Sequence, residues 1–111
     1  MATTKEFRDY VVEQLKLVDN VLCRPMMGEY LLYADGILFG GIYDGRVLIK
    51  KVSSNLKYQL EDAIPYAGAK PMYWIDHLED MEYLKILIND TCQDLPRKKG
   101  NKKKEYLSIQ D

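Results

Sequence analysis

The stretch RPMMGEYLLYADGILFGGIYDGRVLIKK, residues 24–51, holds the densest apolar pattern of the chain and its two clearest turns. Asp35-Gly36 and Asp44-Gly45 each separate runs of aliphatic, aromatic and β-branched residues. Asp-Gly readily adopts the positive φ angles of a type I′ turn, whose twist matches that of the flanking strands. The stretch therefore predicts a β-meander, two hairpins that share a middle strand, with a type I′ turn at each Asp-Gly pair.

The turns also determine which residues of the meander face each other, because a two-residue loop fixes the register. The expected pairs are Tyr43 with Arg46, Ile42 with Val47, Ala34 with Ile37, and Tyr33 with Leu38. Regular alternation along the strands then predicts two apolar faces. The first face carries Leu31, Tyr33, Leu38, Ile42, Val47 and Ile49. The second carries Tyr30, Leu32, Ile37, Phe39, Tyr43 and Leu48, together with Arg46 and Lys50. A sheet with one buried face alternates apolar with polar residues, so we expect both faces to be covered.

The composition is that of one ordinary globular domain, with 111 residues of which 47% are apolar and 30% charged. The start, MATTKEF, has no apolar run of the kind found in secretory signals, and no segment approaches the roughly 18 apolar residues of a membrane helix. Cys23 and Cys92 match none of the spacings used for zinc or dithiol chemistry. We therefore expect a cytoplasmic protein with no membrane contact, metal or cofactor, in which both cysteines are small buried apolar residues.

The formal net charge of −1 hides two regions of opposite sign. Residues 1–96 contain 10 Lys and Arg against 15 Asp and Glu, whereas residues 97–111 contain 6 against 2. The second region, RKKGNKKKEYLSIQD, has little to bury, so we expect a folded domain over residues 1–96 and a basic, disordered tail. The tail cations are Arg97, Lys98, Lys99, Lys102, Lys103 and Lys104.

Ahead of the meander, apolar residues recur at helical spacing behind Thr3 or Thr4, either of which can open a helix, and Thr3-x-x-Glu6 has the spacing of a capping box. This pattern predicts an amphipathic helix over residues 4–18. Residues 21–27 follow as the first strand, with a break at Gly28. Pro25 cannot donate to a strand ladder, so we expect this strand at a sheet edge or with a bulge, and weaker pairing near Pro25.

After the meander, Ser53-Ser54 predicts the cap of a short helix through about Ala63, which Pro65 ends. Residues 72–75 have the composition of a strand, with residues 66–67 as a short hairpin partner. An apolar stripe over residues 79–93 predicts the last helix. No βαβ alternation occurs, so we predict a two-layer α+β domain whose antiparallel sheet, the meander included, carries the N- and C-terminal helices on one face.

No catalytic constellation is visible in this sequence. The carboxylate pairs Glu61-Asp62 and Glu79-Asp80 are expected on helix surfaces, where solvated charge is the usual state. His77 is the only histidine, and a surface or capping role fits it better than a metal site. Gly40-Gly41 lies inside a predicted strand, which indicates a close approach by a neighbouring strand or side chain.

The most unusual local run comprises Arg24, Pro25, Met26, Met27 and Gly28. One interpretation is an edge strand that ends in core methionines. The other is a contact surface for a partner, because methionine is deformable and common at adaptable interfaces.

Three segments in order resemble the N-terminal domain of the TfoX/Sxy family of bacterial competence regulators. They are KEFRDYVVEQL, RPMMGEYLLYADGILFGGIYDGRVLIK, and AKPMYWI followed by a leucine-rich helix, and together they span residues 5–95. The resemblance implies a two-layer α+β fold like that of type III secretion chaperones, no enzymatic activity and no cofactor. In full-length members a second, helical domain follows, and those proteins are linked to competence-gene transcription alongside the cyclic-AMP receptor protein; this chain ends instead in a lysine-rich tail.

Three functions compete on these grounds. The first is a regulatory module that binds a transcription-related protein, and the second is weak, non-specific nucleic-acid binding through the tail cations. An enzyme of unrecognised type is the third alternative.

We also predict a homodimer, because helices on one face of the sheet leave the other apolar face exposed. The predicted interface contains Tyr30, Leu32, Phe39, Tyr43 and Leu48. The alternative is that the tail or the loop of residues 66–72 folds over that face within one chain.

Overall fold

The computed structural model describes residues 2–96 as an antiparallel sheet with two α-helices. The elements are α1 (Lys5–Gln14), β1 (Val21–Met26), β2 (Glu29–Ala34), β3 (Ile37–Tyr43), β4 (Arg46–Ile49), a 3₁₀ helix (Ser53–Tyr58), β5 (Glu61–Ala63), β6 (Met72–Ile75) and α2 (Met81–Gln93). The six strands lie in the order β1-β2-β3-β4-β6-β5, and every neighbouring pair is antiparallel. The predicted α+β fold is confirmed.

Both α-helices pack on the same face of the sheet and form one core with it. The buried core residues include Val11 and Leu15 of α1, Leu84, Leu87 and Ile88 of α2, and Tyr30, Leu32, Phe39, Ile42, Val47, Ile49 and Ile75 of the sheet. Each helix begins at a capping side chain: the Thr4 hydroxyl accepts a hydrogen bond from the Phe7 N–H, and the Asp80 carboxylate accepts one from the Tyr83 N–H. Both helices are shorter than predicted. No helix among residues 2–96 is long and apolar enough to cross a membrane.

Both Asp-Gly turns have the predicted type I′ conformation. The φ angles are 52° and 82° at Asp35 and Gly36, and 54° and 72° at Asp44 and Gly45. A third turn of this kind joins β1 to β2, where the φ angles are 52° at Met27 and 85° at Gly28. The sequence pattern predicted only a break there, because methionine is rarely found at positive φ.

The four predicted residue pairs of the meander are confirmed, but the predicted faces are wrong for half of the sheet. Tyr33 pairs with Leu38, whereas Leu32 pairs with Gly40, so Phe39 is the extra residue of a β-bulge. The bulge reverses the alternation between β2 and β3, because two consecutive residues of β3 then oppose one of β2. Tyr30, Leu32 and Phe39 consequently face the helices, while Tyr43 and Leu48 lie on the opposite face.

Gly40 and Gly41 allow the close contacts that the sequence indicated. A Cβ on Gly40 would stand 2.1 Å from the Leu48 carbonyl oxygen, and one on Gly41 would stand 2.7 Å from Cε2 of Tyr43 and 2.6 Å from the Tyr30 carbonyl oxygen. Only glycine therefore lets β4 approach the bulge and lets the Tyr43 ring lie across the backbone of β3.

Between β4 and β6 the chain differs from the prediction. The 3₁₀ helix ends at Tyr58, because Gln59 adopts a left-handed conformation, and Glu61–Ala63 pairs with β6 as an edge strand. The predicted short helix therefore begins at Ser53 as expected but does not reach Ala63, and the predicted partner strand at residues 66–67 is wrong. β1 is the other edge strand, as Pro25 indicated, but its pairing continues through Pro25 to Met26 without weakening.

Candidate binding site on the helix-free face

The face of the sheet opposite the helices is here called the helix-free face. Tyr33, Tyr43 and Leu48 lie on it by register, and all three are buried although they do not belong to the core beneath the helices. Leu48 is 0% exposed. Some other part of the chain must cover this face.

Residues 64–71, the loop between β5 and β6, provide that cover. The Tyr66 ring lies 6.1 Å from the Tyr43 ring, measured between centroids, and Arg46 Nη2 donates a hydrogen bond of 2.9 Å to the Ile64 carbonyl oxygen. Pro65 is buried. A loop therefore folds over this face within one chain, which was the alternative to the predicted dimer; the homodimer itself remains a prediction.

A cleft of about 700 Å³ opens between this loop and the sheet, and we call it the lysine cleft. Its lining is apolar or aromatic apart from three lysines. The lining residues are Leu31, Leu38, Gly40, Tyr43, Lys50, Lys51, Pro65, Tyr66, Ala69, Lys70, Pro71 and Met72. A concave, mostly apolar space with a few polar groups is typical of ligand sites.

The three lysines of the cleft differ in their surroundings. The Lys51 ammonium forms an ion pair with Asp62 at 2.7 Å and lies 5.0 Å from the centroid of the Tyr73 ring. Among residues 2–96, no carboxylate lies within ion-pair distance of the Lys50 or Lys70 ammonium. These two cations can therefore accept an external anion.

Tyr43 forms one side of the lysine cleft as a neutral phenol. Burial raises the pKa of its hydroxyl, and the neighbouring Tyr66 and Glu29 raise it further. The hydroxyl therefore keeps its proton at neutral pH and does not add negative charge near the lysines.

A second hollow, of about 570 Å³, lies at the β1–β2 turn and shares Tyr43, Pro65 and Tyr66 with the lysine cleft. We call its surface the tip patch, formed by Met26, Met27, Pro65 and Tyr66. Met27 is 96% exposed and Tyr66 is 59% exposed. The patch is an apolar surface beside the cleft.

Glu29, which also lines the tip hollow, is held in place by hydrogen bonds from two other segments. Its Oε1 accepts from the Thr3 N–H at 3.1 Å, the Thr3 hydroxyl at 2.6 Å and the Asp44 N–H at 3.1 Å. The Thr3 hydroxyl also accepts from the Gly45 N–H, so the predicted capping-box role of Thr3 is wrong. These bonds tie the N-terminus to two hairpin turns and give the tip patch a rigid base.

The run predicted as a partner surface is only partly assembled with this site. Met26 and Met27 line the tip hollow, and Gly28 completes the turn. Arg24 and Pro25 are exposed on the edge strand β1. The interpretation that both methionines belong to the core is wrong, because Met27 is exposed and Met26 is half-buried at the hollow and outside the core cluster.

The predicted interface set is divided between the two faces. Tyr30, Leu32 and Phe39 are buried in the core under the helices, whereas Tyr43 and Leu48 are buried on the helix-free face. The tail cations of residues 97–104 lie outside the described residues. Their predicted contact with nucleic acid remains a prediction.

The other residues considered from the sequence lie elsewhere. Glu61 and Asp62 are on the edge strand β5 and not on a helix, and His77 is exposed with Nδ1 3.3 Å from a Glu79 carboxylate oxygen. No group of three or more His, Cys, Asp or Glu within residues 2–96 could hold a metal ion. Both cysteines are half-buried thiols packed against the core.

Sequence reasoning did not identify the lysine cleft. Lys50 and Lys51 were visible at the end of the meander, but Lys70 and Tyr66 come from a loop whose position depends on pairing between β5 and β6. The signal that was available is Pro65, Tyr66 and Pro71 in a loop otherwise rich in small residues.

No family model matches the chain. A curated relative from Spirochaeta aurantia, described as an uncharacterized 12.7 kDa protein in the trpE 5′ region, is 33% identical over 108 residues. The match covers 94% of this chain and 93% of the relative. The chain belongs to the same family as that protein.

Proposed function

We propose that this protein is a non-enzymatic regulatory module that binds another protein through the tip patch. The partner would present an apolar side chain to the hollow between Met27 and Tyr66. The resemblance to TfoX/Sxy N-terminal domains supports a transcription-related partner.

The observation that carries this proposal is the conformation and exposure of Met27. Three hairpin turns share the same geometry, and two have Asp at the position where the third has Met27. Positive φ costs a residue such as methionine roughly 1 kcal/mol, whereas Asp and Asn tolerate it. Strained residues that persist in a fold concentrate at functional sites, and a 96% exposed apolar side chain gains nothing from burial. A contact with a partner would explain both.

The arrangement around Met27 also fits a binding surface. Met26 and Pro65 form the walls of the hollow, and Tyr66 is a large, exposed aromatic residue of the kind that is enriched at interfaces. Methionine adapts its shape to a partner at low cost.

The test compares the tagged full-length protein with its Met27→Asn variant as bait in a nuclease-treated bacterial lysate. Asparagine suits the turn, so the variant should be as stable as the wild type or up to about 1 kcal/mol more stable. We expect at least one protein to be retained by the wild type and lost with the variant. That protein, once purified, should bind the variant about tenfold more weakly in a direct titration.

Ile86→Gln is the matched control, since Ile86 is 54% exposed on α2, far along the chain from the patch. It should retain the same protein as the wild type. Equal retention by wild type and Met27→Asn would refute the proposal. Retention that occurs only in a parallel lysate without nuclease, and is lost with Lys102→Gln/Lys103→Gln/Lys104→Gln, would favour the nucleic-acid alternative.

A further inference from the structure

We propose that the lysine cleft binds a small organic anion, with its charged group between Lys50 and Lys70 and its apolar body against the sheet. This site adjoins the tip patch and shares Pro65 and Tyr66 with it, but the anion is placed by the lysines, which are not part of that patch. Neither proposal requires the other.

The size of the cleft favours a small molecule. Its volume of about 700 Å³ lies within the usual range of small-molecule sites, roughly 300–1,000 Å³. The floor is formed by Leu31 and Leu38, and Tyr66 and Pro71 approach from the loop. A ligand with an aromatic or branched aliphatic body would displace water from both the sheet side and the loop side of the cleft when it binds.

The charge of the cleft favours an anion. Residues 1–96 carry 15 acidic against 10 basic side chains, yet three of those ten cations line this one cleft and no carboxylate does. Asp62 already neutralises Lys51. Lys50 is half-buried, so an anion beside it would interact in a medium less polar than bulk water.

The same arrangement argues against other occupants. A neutral apolar molecule would leave both ammonium groups of Lys50 and Lys70 without a counter-charge. A nucleic-acid backbone would meet the acidic remainder of the domain, which repels a polyanion. A compact ligand with one anionic group and one apolar group matches the lining best.

The test uses the fluorescent probe 8-anilinonaphthalene-1-sulfonate with the full-length protein. Its sulfonate stands in for the anionic group and its rings for the apolar body. We expect one saturable site, with affinity about fivefold weaker in each of Lys50→Gln and Lys70→Gln, as for a partly exposed ion pair. The uncharged analogue N-phenyl-1-naphthylamine should bind more weakly, and these two substitutions should not change its affinity.

Two control variants separate the cleft from other lysines. Lys85→Gln changes an exposed lysine on α2, and Lys102→Gln/Lys103→Gln/Lys104→Gln removes tail charge; both should bind the probe like the wild type. Near-ultraviolet circular dichroism of each variant checks that the fold is unchanged. Wild-type affinity in Lys50→Gln and Lys70→Gln, no saturable site, or loss of binding in the tail variant alone would each overturn the proposal.

Discussion

Replacing Asn55 with alanine should destabilise the protein by about 3 kcal/mol, although Asn55 lies in a short 3₁₀ helix and lines neither proposed site. The Asn55 side chain is 0% exposed. Its Nδ2 donates to the Lys50 carbonyl oxygen at 2.8 Å and to Thr91 Oγ1 at 3.0 Å, and its Oδ1 accepts from the Val52 N–H at 3.1 Å. Asn55 therefore joins β4 and the 3₁₀ helix to α2.

The magnitude follows from the three hydrogen bonds. Each contributes about 1 kcal/mol, and the buried groups left without a partner add to the loss, so roughly 2–4 kcal/mol is expected. Urea unfolding followed by circular dichroism and by Trp74 fluorescence measures this difference. For a loss of about 3 kcal/mol the thermal midpoint should fall by roughly 12–24 °C, since 1 kcal/mol corresponds to about 4–8 °C in a domain of this size.

Two further variants test the reasoning behind this number. Asn89→Ala, at an exposed asparagine on α2, should change the stability by less than about 0.5 kcal/mol. A double-mutant cycle of Asn55→Ala with Thr91→Val should give a coupling of roughly 0.5–3 kcal/mol, because the two side chains share a hydrogen bond. A loss below about 1 kcal/mol for Asn55→Ala, or no coupling to Thr91, would refute the assignment of this network.

Three other changes have expected outcomes. Gly41→Ala should cost roughly 1–3 kcal/mol in urea unfolding, since its Cβ would overlap the Tyr43 ring; an unchanged midpoint would contradict the glycine assignment. Leu48→Asp should unfold the protein, because the new carboxylate would be buried where the leucine is 0% exposed. The predicted homodimer would instead be supported if the variant stays folded and sedimentation equilibrium shows the variant as a 12.9 kDa monomer and the wild type as a dimer. Burial and the hydrogen bond to Asp90 raise the pKa of Tyr58 to about 12. The unfolded chain therefore loses this proton near pH 10, whereas the folded chain keeps it until about pH 12. The free energy of unfolding should consequently fall as the pH rises from about 10 to 12. In Tyr58→Phe the free energy of unfolding should fall less steeply over this pH range. Equal dependence on pH in the wild type and the variant would exclude Tyr58 as the cause.

Local chemistry explains why the sequence alone predicted the meander, the helices and the fold class. The Asp-Gly turns and the helix caps are decided by residues within a few positions of each other. The pairs at the base of each hairpin follow directly from those turns, and the register there is as predicted. The unusual run at residues 24–28 also stood out from sequence, and the fold places its two methionines beside the lysine cleft.

The tertiary structure decided which face of each strand is buried. A bulge adds one residue to a strand, and nothing in the local pattern around Phe39 marks it, since Leu38 and Phe39 are both apolar. The extra residue is accommodated because Gly40 allows β4 to approach closely, which is a contact between strands. Because of this one added residue, β2 and the first part of β3 present the opposite face from the one that regular alternation predicts. For that reason Tyr30, Leu32 and Phe39 belong to the core.

The tertiary structure also created the lysine cleft. Residues 61–63 have a local sequence that suits a helix, yet they pair with β6 because that partner is available only in the folded chain. This pairing positions the loop that brings Tyr66 to Tyr43 and places Lys70 in the same cleft as Lys50. A cleft built from residues 31–72 depends on contacts between distant segments, and the spacing of residues along the chain does not encode such contacts.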